Sequence, residues 1–286
     1  MKFTKMHGAG NDYIYIDARE IDADWPSLAR TMSDRHFGVG GDGIILVLNS
    51  DVADLRMRMF NSDGSEGEMC GNGIRCFTKY AIEHGVVPRP EGGLTVDTLA
   101  GIRTVVPVYE ATNGNRISRA RVAMGTPRLN PVDLPARLDP SLAGQPPVLQ
   151  YPLNPGDHQL SLALVSMGNP HAITFIEQPV AEFPLHRIGP LVEGHPMFPR
   201  RVNFEIVNVV DAGHLDARVW ERGSGETLAC GTGACAIAVA ARLQGITGDI
   251  VDIRLPGGTL TIEWDGQGEV YLEGPAEEVF SGDWER

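Results

Sequence analysis

One ordered set of short motifs occurs twice in this chain of 286 residues. Residues 60–66, followed by Cys-Gly-Asn-Gly at 70–73, match residues 220–226, followed by Cys-Gly-Thr-Gly at 230–233, at a constant offset of 160 positions. Gly10–Asn11 matches Gly168–Asn169 at an offset of 158. The unit is far longer than the roughly 20–50 residues of solenoid repeats, so it predicts two similar domains, at residues 1–122 and 123–274. The alternative is a chance likeness of glycine-rich turns.

Most of the chain consists of compact or alternating apolar runs that predict strands, at 13–18, 43–48, 55–60, 160–166, 172–176, 202–210 and 259–264. Helices are predicted at 26–36, 73–84 and 233–244, and a glycine closes each of the last two. Residues 234–241 are apolar nearly all round, which indicates a buried central helix wrapped by a sheet. Residues 130–157 are rich in proline, which predicts a linker or surface loop.

The composition narrows the class of function. A formal net charge of −13 without a cluster of basic residues disfavours nucleic-acid binding, so we expect a small-molecule partner. No run approaches the roughly 18 apolar residues of a membrane span, and the first residues do not resemble a secretory signal. We therefore expect a cytoplasmic protein with no membrane contact. Lysine is scarce, which disfavours covalent pyridoxal chemistry.

Four cysteines are present: Cys70, Cys76, Cys230 and Cys235. They are too few for a disulfide scaffold of this length, and we expect free thiols in a reducing compartment. Their spacings do not fit the usual structural zinc sites, so no metal is predicted. Cys76 and Cys235 lie within apolar helical patterns and are interpreted as core residues.

Cys70 and Cys230 differ because each precedes a Gly-x-Gly turn and then a helix. The partial positive charge of a helix N-terminus favours a thiolate and is expected to lower a cysteine pKa from about 8.5 toward neutrality. The N–H groups that follow, of Gly71, Asn72, Gly231 and Thr232, can hold a carboxylate. If the two halves face each other, one cysteine removes the proton of the adjacent carbon and the other supplies a proton to the opposite side.

These motifs resemble the diaminopimelate epimerase family over nearly the whole chain. The resemblance is carried by Lys-Met-His-Gly-Ala-Gly-Asn-Asp at 5–12, Phe-Asn-Ser-Asp-Gly-Ser at 60–65, Cys-Gly-Asn-Gly at 70–73, Met-Gly-Asn-Pro-His at 167–171, Glu-Arg-Gly at 221–223 and Cys-Gly-Thr-Gly-Ala at 230–234. It implies cofactor-independent epimerisation of LL- to meso-diaminopimelate, in lysine and cell-wall precursor synthesis. It also implies an α+β fold in which each of two pseudo-symmetric domains is a mixed sheet curled, barrel-like, around a central helix. Residues 275–286 would join the first domain, and the enzymes are typically homodimers.

The resemblance also assigns residues. Cys70 and Cys230 would be the acid/base pair, and His171 and Glu221 would adjust their pKa values. The substrate would be held by Asn11, Asn61, Asn169, Asn203, Glu221 and Arg222, with Gly71–Asn72 and Gly231–Thr232 gripping the reacting carboxylate. Diaminopimelate has a second amino-acid head, and Arg222 and Glu221 can bind its carboxylate and ammonium.

Other interpretations stay open at this point. The asparagines also suit turns, Arg222 also suits a surface ion pair, and His171 also suits a structural role. The same two cysteines could racemise another amino acid, such as histidine, or form a reversible disulfide in a redox module.

Two positions depart from the family pattern. Gly43 stands where many members carry glutamine, so a substrate contact is not expected there. Phe280 stands where some members carry a dimer-contact tyrosine, which loses the hydroxyl but keeps the ring.

Overall fold

The computed structural model describes residues 1–285. The chain forms two compact units: Met1–Ala123 together with the residues from Glu273 onward, and Met124–Leu272.

The first unit begins with β1 (Lys2–Gly8), β2 (Asn11–Asp17), α1 (Trp25–Ser33), β3 (Gly43–Leu48), β4 (Leu55–Asn61), β5 (Glu66–Gly67), α2 (Gly71–Glu83), β6 (Leu94–Thr98), β7 (Gly101–Tyr109) and most of β8 (Ile117–Gly125). The second unit contains α3 (Pro140–Ala143), β9 (Tyr151–Leu153), β10 (Leu160–Ser166), β11 (Pro170–Ile176), α4 (Leu185–Glu193), β12 (Asn203–Asp211), β13 (His214–Glu221), β14 (Gly225–Thr227), α5 (Gly231–Leu243), β15 (Ile250–Leu255) and β16 (Gly258–Glu263). The chain leaves it through β17 (Val270–Pro275) and ends with β18 (Glu277–Asp283) in the first unit.

The strand pairings are the same in both units. In the first, β18, β1 and β2 are antiparallel neighbours, β3 is parallel to β2, β4 is antiparallel to β3, β6 is parallel to β4, and β7 is antiparallel to β6. In the second, β9 to β13, β15 and β16 repeat this pattern, with the parallel pairs at β11–β12 and β13–β15. The predicted α+β class with mixed sheets is confirmed.

Helices cover both faces of the strands in the first unit. Even-numbered residues of β2 and β3, such as Ile14 and Ile44, pack in a core with Trp25 and Ala29 of α1. The odd-numbered Tyr15 faces α2, and its hydroxyl donates to the Gly73 carbonyl at 2.9 Å. Burial on both faces explains why these strands are continuous apolar runs rather than alternating ones. α2 contacts β1, β2, β3 and β7, so this sheet curls around it.

Several predicted boundaries were wrong. α2 and α5 begin two residues earlier than predicted, at Gly71 and Gly231. α1 ends at Ser33 instead of 36, because the Asp34 carboxylate accepts hydrogen bonds from the N–H groups of His36 and Phe37 and so replaces the helical pattern.

The proline-rich stretch 130–157 is not a linker. It contains α3 and β9, and Leu134, Val148, Tyr151 and Leu153 are buried in the core of the second unit. A proline lacks a backbone N–H donor, but this does not make its segment exposed. The apolar side chains between the prolines still pack in the core and hold residues 130–157 against it. The sequence also did not predict α4, which contains Gly189 and Pro190. None of the helices in residues 1–285 is long and apolar enough to cross a membrane.

Candidate active site

Cys70 caps the N-terminus of α2. Its backbone is extended, with φ −127° and ψ 120°, and its Sγ accepts the N–H of Gly73 at 3.3 Å. A Cβ on Gly73 would lie 2.6 Å from Cδ1 of Ile45, so a larger residue there would require the Ile45 side chain to move. The sulfur is therefore held at the first turn of a helix that is buried along most of its length.

Asn11 lies beside this cysteine. The Cys70 thiol donates to Asn11 Oδ1 at 3.1 Å, and Asn11 Nδ2 donates to Asp42 Oδ2 at 2.5 Å. The Tyr13 hydroxyl also bonds to the Cys70 sulfur. A predicted substrate residue and the predicted catalytic thiol of the first unit are thus in direct contact.

An ionic cluster fixes the start of β2, where Asn11 lies. Asp12 pairs with Lys5 at 2.6 Å and with Arg35 at 2.7 Å, and Arg35 also pairs with Asp42 at 2.9 Å. Although burial raises the pKa of the Asp12 carboxyl, hydrogen bonds from Arg35 and Lys5 leave it below its usual value. Asp42 in turn accepts from Asn11, so the orientation of that amide is set by charge.

A buried cation lies one turn along α2. Arg75 is fully buried, with Nη1 donating to the Gly71 carbonyl at 3.0 Å and Nε to the Pro275 carbonyl at 3.2 Å. Burial raises the pKa of the Cys70 thiol, and the Gly73 N–H, the Tyr13 hydroxyl and the Arg75 charge oppose that rise. The expectation that the helix N-terminus lowers this pKa was therefore wrong, because desolvation outweighs the favourable contacts.

The other predicted residues of the first unit lie at the start of α2 and at the end of β4. Gly71 and Asn72 are buried in the first turn of α2. Asn61 ends β4, and its Nδ2 donates to Ser65 Oγ at 3.0 Å, which is a turn-forming contact.

Cys230 caps α5 in the same way. Its backbone has φ −118° and ψ 116°, and its Sγ accepts the N–H of Gly233 at 3.3 Å. Thr232 Oγ1 lies 3.4 Å from the sulfur. Gly231 and Thr232, the predicted carboxylate-binding pair, therefore form the first turn of α5 beside the thiol.

A chain of side-chain hydrogen bonds leads away from Thr232. Its Oγ1 accepts from Asn169 Nδ2 at 3.1 Å, and Asn169 Oδ1 bonds with His171 Nε2 at 2.9 Å. His171 Nδ1 lies 2.6 Å from Oε1 of Glu205. Two predicted site residues, Asn169 and His171, are thereby joined to the second cysteine.

Glu221, Arg222 and Asn203 lie together at the end of β13. Asn203 Oδ1 accepts the Arg222 N–H at 2.8 Å, and Glu221 Oε1 accepts from Thr227 Oγ1 at 2.5 Å. The exposed Arg222 side chain donates to the Arg200 carbonyl at 3.3 Å. In the described part of the chain no carboxylate forms an ion pair with this guanidinium. The alternative interpretation of Arg222 as one half of a surface ion pair therefore finds no support.

Burial raises the pKa of the Cys230 thiol well above its usual value, and the nearby carboxyl groups of Glu221 and Glu205 add to the rise. The Thr232 hydroxyl and the Gly233 N–H oppose it. The predicted lowering was wrong here too. The two cysteines thus have equivalent backbone positions but different electrostatic surroundings, with a cation near Cys70 and carboxyl groups near Cys230.

The two remaining thiols and Lys79 lie in the core. Cys76 and Cys235 are fully buried, as predicted for core residues, and burial raises the pKa of Cys76 to about 11. Lys79 is 2% exposed and donates to Glu83 and to the Ile117 carbonyl. Within residues 1–285 no three His, Cys, Asp or Glu side chains form a group that could hold a metal ion.

Comparison with known proteins decides the family. A sequence model described as diaminopimelate epimerase matches residues 3–129 and 163–279. The chain belongs to the diaminopimelate epimerase family. This confirms the resemblance that the repeated motifs indicated.

Individual relatives agree with this membership of the diaminopimelate epimerase family. A diaminopimelate epimerase of Methanococcus maripaludis is 48% identical over 285 residues, covering 99% of each chain. One of Desulfovibrio desulfuricans is 47% identical, covering 99% of this chain and 98% of the relative. A solved structure of a probable proline racemase from Agrobacterium radiobacter K84 is similar with a TM-score of 0.69 at 15% identity, covering 99% of this chain and 92% of that one, which shows a shared fold.

Three residues in contact with the cysteines or their partners were not identified from sequence. Tyr13 matches His171 at the offset of 158, so a fuller alignment of the halves would have found it. Glu205 is a carboxylate between Phe204 and Ile206 in an apolar strand, and Arg75 is a cation in an apolar helix. A charge inside an apolar pattern is the signal in both cases.

Proposed function

We propose that this member of the family is an isomerase that interconverts LL- and meso-diaminopimelate without a cofactor, on the route to lysine and cell-wall precursors. The observation that carries the proposal is the equivalent placement of Cys70 and Cys230. Each caps the central helix of its unit and accepts the N–H of the third helical residue.

In the proposed reaction, one cysteine as thiolate takes the α-proton, so the C–H bond breaks and an S–H bond forms. The other cysteine, as thiol, gives its proton to the opposite face of the same carbon and becomes the thiolate. Two thiols of one kind are needed because each configuration exposes its proton to a different side. The N–H groups of Gly71–Asn72 and Gly231–Thr232 lie at the positive ends of the two helices, so they would bind the reacting carboxylate and the charge that develops on it.

The distal head of the substrate would be bound by Glu221 and Arg222. A guanidinium binds a carboxylate through two parallel hydrogen bonds, and Arg222 has no competing carboxylate in the described chain. Asn11, Asn61, Asn169 and Asn203 would supply further donors and acceptors, and His171 and Glu221 would adjust the thiols. Asn203 also holds the backbone of Arg222, so it would position that residue.

The direct test is incubation of reduced, metal-free protein with LL-diaminopimelate in deuterium oxide. The proposal expects meso-diaminopimelate with one deuterium at the inverted α-carbon and no requirement for an added cofactor. Isomer formed without deuterium, or no isomer at all, would refute it. Histidine and proline in parallel reactions test whether another amino acid is the substrate.

We further propose that the two compact units are the two domains of the duplication, with residues 275–286 in the first, and that the protein is a cytoplasmic homodimer. On β18, Val279 and Phe280 are 55% and 47% exposed, and the Phe280 ring contacts that of Phe3 with centroids 6.0 Å apart. Adjacent exposed apolar residues suit a protein interface. Light scattering should give the mass of a dimer, and F280D should give a monomer. F37D is the matched control, since Phe37 is exposed elsewhere on the chain.

A further inference from the structure

Glu205 and His171 form a pair whose side chains are both 0% exposed. They lie on the adjacent strands β12 and β11, and Oε1 of Glu205 is also the nearest atom, at 2.9 Å, to a Cβ built on Gly233 of α5. The carboxyl group is therefore wedged between His171 and the first turn of the helix that Cys230 caps.

The hydrogen bonds determine where the protons are. Asn169 Nδ2 donates to Thr232, so Asn169 Oδ1 faces His171 and can only accept, which requires a proton on His171 Nε2. One more proton is then shared between His171 Nδ1 and Glu205 Oε1, 2.6 Å apart. The pair is neutral overall.

A protonated Glu205 carboxyl fits this environment. Burial raises the pKa of the Glu205 carboxyl. Its second oxygen, Oε2, is buried and makes no hydrogen bond within the described residues. Leaving an oxygen unsatisfied costs less for a neutral acid than for a carboxylate. The shared proton reduces the negative charge that Glu205 presents to Cys230.

The series of hydrogen bonds continues from Asn169 through Thr232 to the Cys230 sulfur. Because Thr232 Oγ1 accepts from Asn169, its single hydrogen is available to the Cys230 Sγ at 3.4 Å. A hydroxyl that donates to sulfur stabilises the thiolate over the thiol.

We infer that Glu205 is a positioning residue for Cys230, acting through His171, Asn169 and Thr232 to aim the Thr232 hydroxyl at the sulfur. The inference rests on the proposed function, in which Cys230 must exist as a thiolate in one direction of the reaction. Without Glu205, His171 can adopt its other tautomer, the Asn169 amide can turn over, and the Thr232 hydroxyl can point elsewhere.

The first unit provides an internal comparison. The residue at the equivalent position is Ile45, whose Cδ1 faces Gly73 as Oε1 of Glu205 faces Gly233. Tyr13 occupies the position of His171 and bonds to the Cys70 sulfur directly. Cys70 therefore needs no relay, and it serves as the control within the same molecule.

Two variants test the inference. E205Q keeps a donor for His171 Nδ1, so it preserves the tautomer and the relay. E205I installs the residue that the first unit uses and removes the relay. The measurement is the rate of alkylation by iodoacetamide at Cys70 and Cys230 separately, by mass spectrometry over a range of pH.

In E205I, alkylation of Cys230 near neutral pH should be about tenfold slower or more, which corresponds to a rise of at least about one unit in its pKa. E205Q should stay within about twofold of the wild type at Cys230, and Cys70 should be unchanged in both. Unchanged or faster alkylation of Cys230 in E205I would overturn the inference. Faster alkylation would mean that Glu205 affects Cys230 only through its negative charge, which disfavours the thiolate. A parallel fall at Cys70 would overturn it as well.

Kinetics separate this inference from the proposed function. If the wild type epimerises diaminopimelate, E205I should lower kcat by roughly ten- to a hundredfold with little change in KM, as expected for loss of an outer hydrogen-bond partner, and E205Q should restore it. If the wild type does not epimerise diaminopimelate, the proposed function is refuted, and the alkylation rates still test whether Glu205 positions the Thr232 hydroxyl. If E205I does not fold, ¹⁵N spectra of the histidine rings in the wild type decide it. His171 should carry its proton on Nε2, and a bare Nε2 would overturn the inference.

Discussion

Ile45 and Glu205 occupy the same place in the two halves of the duplication. Each lies two residues beyond the strand residue that pairs with Tyr13 or His171. Each also lies closest to the third residue of the central helix, 2.6 Å from a Cβ on Gly73 and 2.9 Å from one on Gly233. The repeated backbone therefore presents an apolar neighbour to one cysteine turn and an acidic neighbour to the other.

This difference predicts that Cys70 ionises more readily than Cys230. Burial raises the pKa of both thiols, but the Arg75 charge and the Tyr13 hydroxyl stabilise the Cys70 thiolate, whereas Glu221 opposes that of Cys230. Because the thiolate is the reactive form, alkylation of each cysteine should increase with pH, with a lower midpoint for Cys70. The comparison uses the pH midpoints of the two alkylation curves and not the absolute rates, because Cys230 is the more buried thiol and the reagent reaches it more slowly. Equal midpoints, or a lower one for Cys230, would show that the surrounding charges do not control ionisation.

Replacing either Cys70 or Cys230 by serine should lower the rate of epimerisation by roughly 10²–10⁴-fold, because a hydroxyl is a far weaker acid than a thiol. The two single variants should keep the circular dichroism spectrum of the wild type. C76A and C235A are the matched controls, as both replace core thiols next to the same turns. They should keep activity within about threefold. A fully active C230S would reject the two-base scheme.

R222L should abolish turnover of diaminopimelate, with a loss in kcat/KM of about a hundredfold or more, because a buried or partly desolvated carboxylate loses its charged partner. R242L is the control, since Arg242 lies on α5 and is paired with Asp249 beyond the end of that helix. Its kcat/KM should stay near that of the wild type. Unchanged activity in R222L would indicate a substrate without a second carboxylate.

Gly43 should not tolerate a side chain. A Cβ there would lie 2.1 Å from the Phe60 carbonyl oxygen, across the β3–β4 pair. G43A should therefore lower the free energy of unfolding by about 1–3 kcal/mol, measured by urea denaturation. In G92A, where no atom lies within 4 Å of the added Cβ, the change should be below about 0.5 kcal/mol. A neutral G43A would mean that the strands separate easily enough to admit a side chain at this position.

Local patterns predicted much of the fold. The strands at 43–48 and 160–166 have the predicted bounds, and both central helices were found, because apolar periodicity and terminal glycines depend on neighbours in the chain. The prediction did not find α4, because a glycine and a proline within nine residues resemble a break. Burial in the core of the second unit stabilises that helix despite them.

The sequence by itself determined the family and the repeated motifs, and it singled out Cys70 and Cys230 as candidates, since order and spacing of motifs need no coordinates. Only the tertiary structure decided what surrounds each sulfur. Glu205 and Arg75 are distant in sequence from many of the groups they contact, and their effect depends on burial, which removes water and strengthens each charge and hydrogen bond. The expectation of lowered thiol pKa values was wrong for this reason. The helix N-termini were evident from the sequence, but the loss of water around the two sulfurs was not.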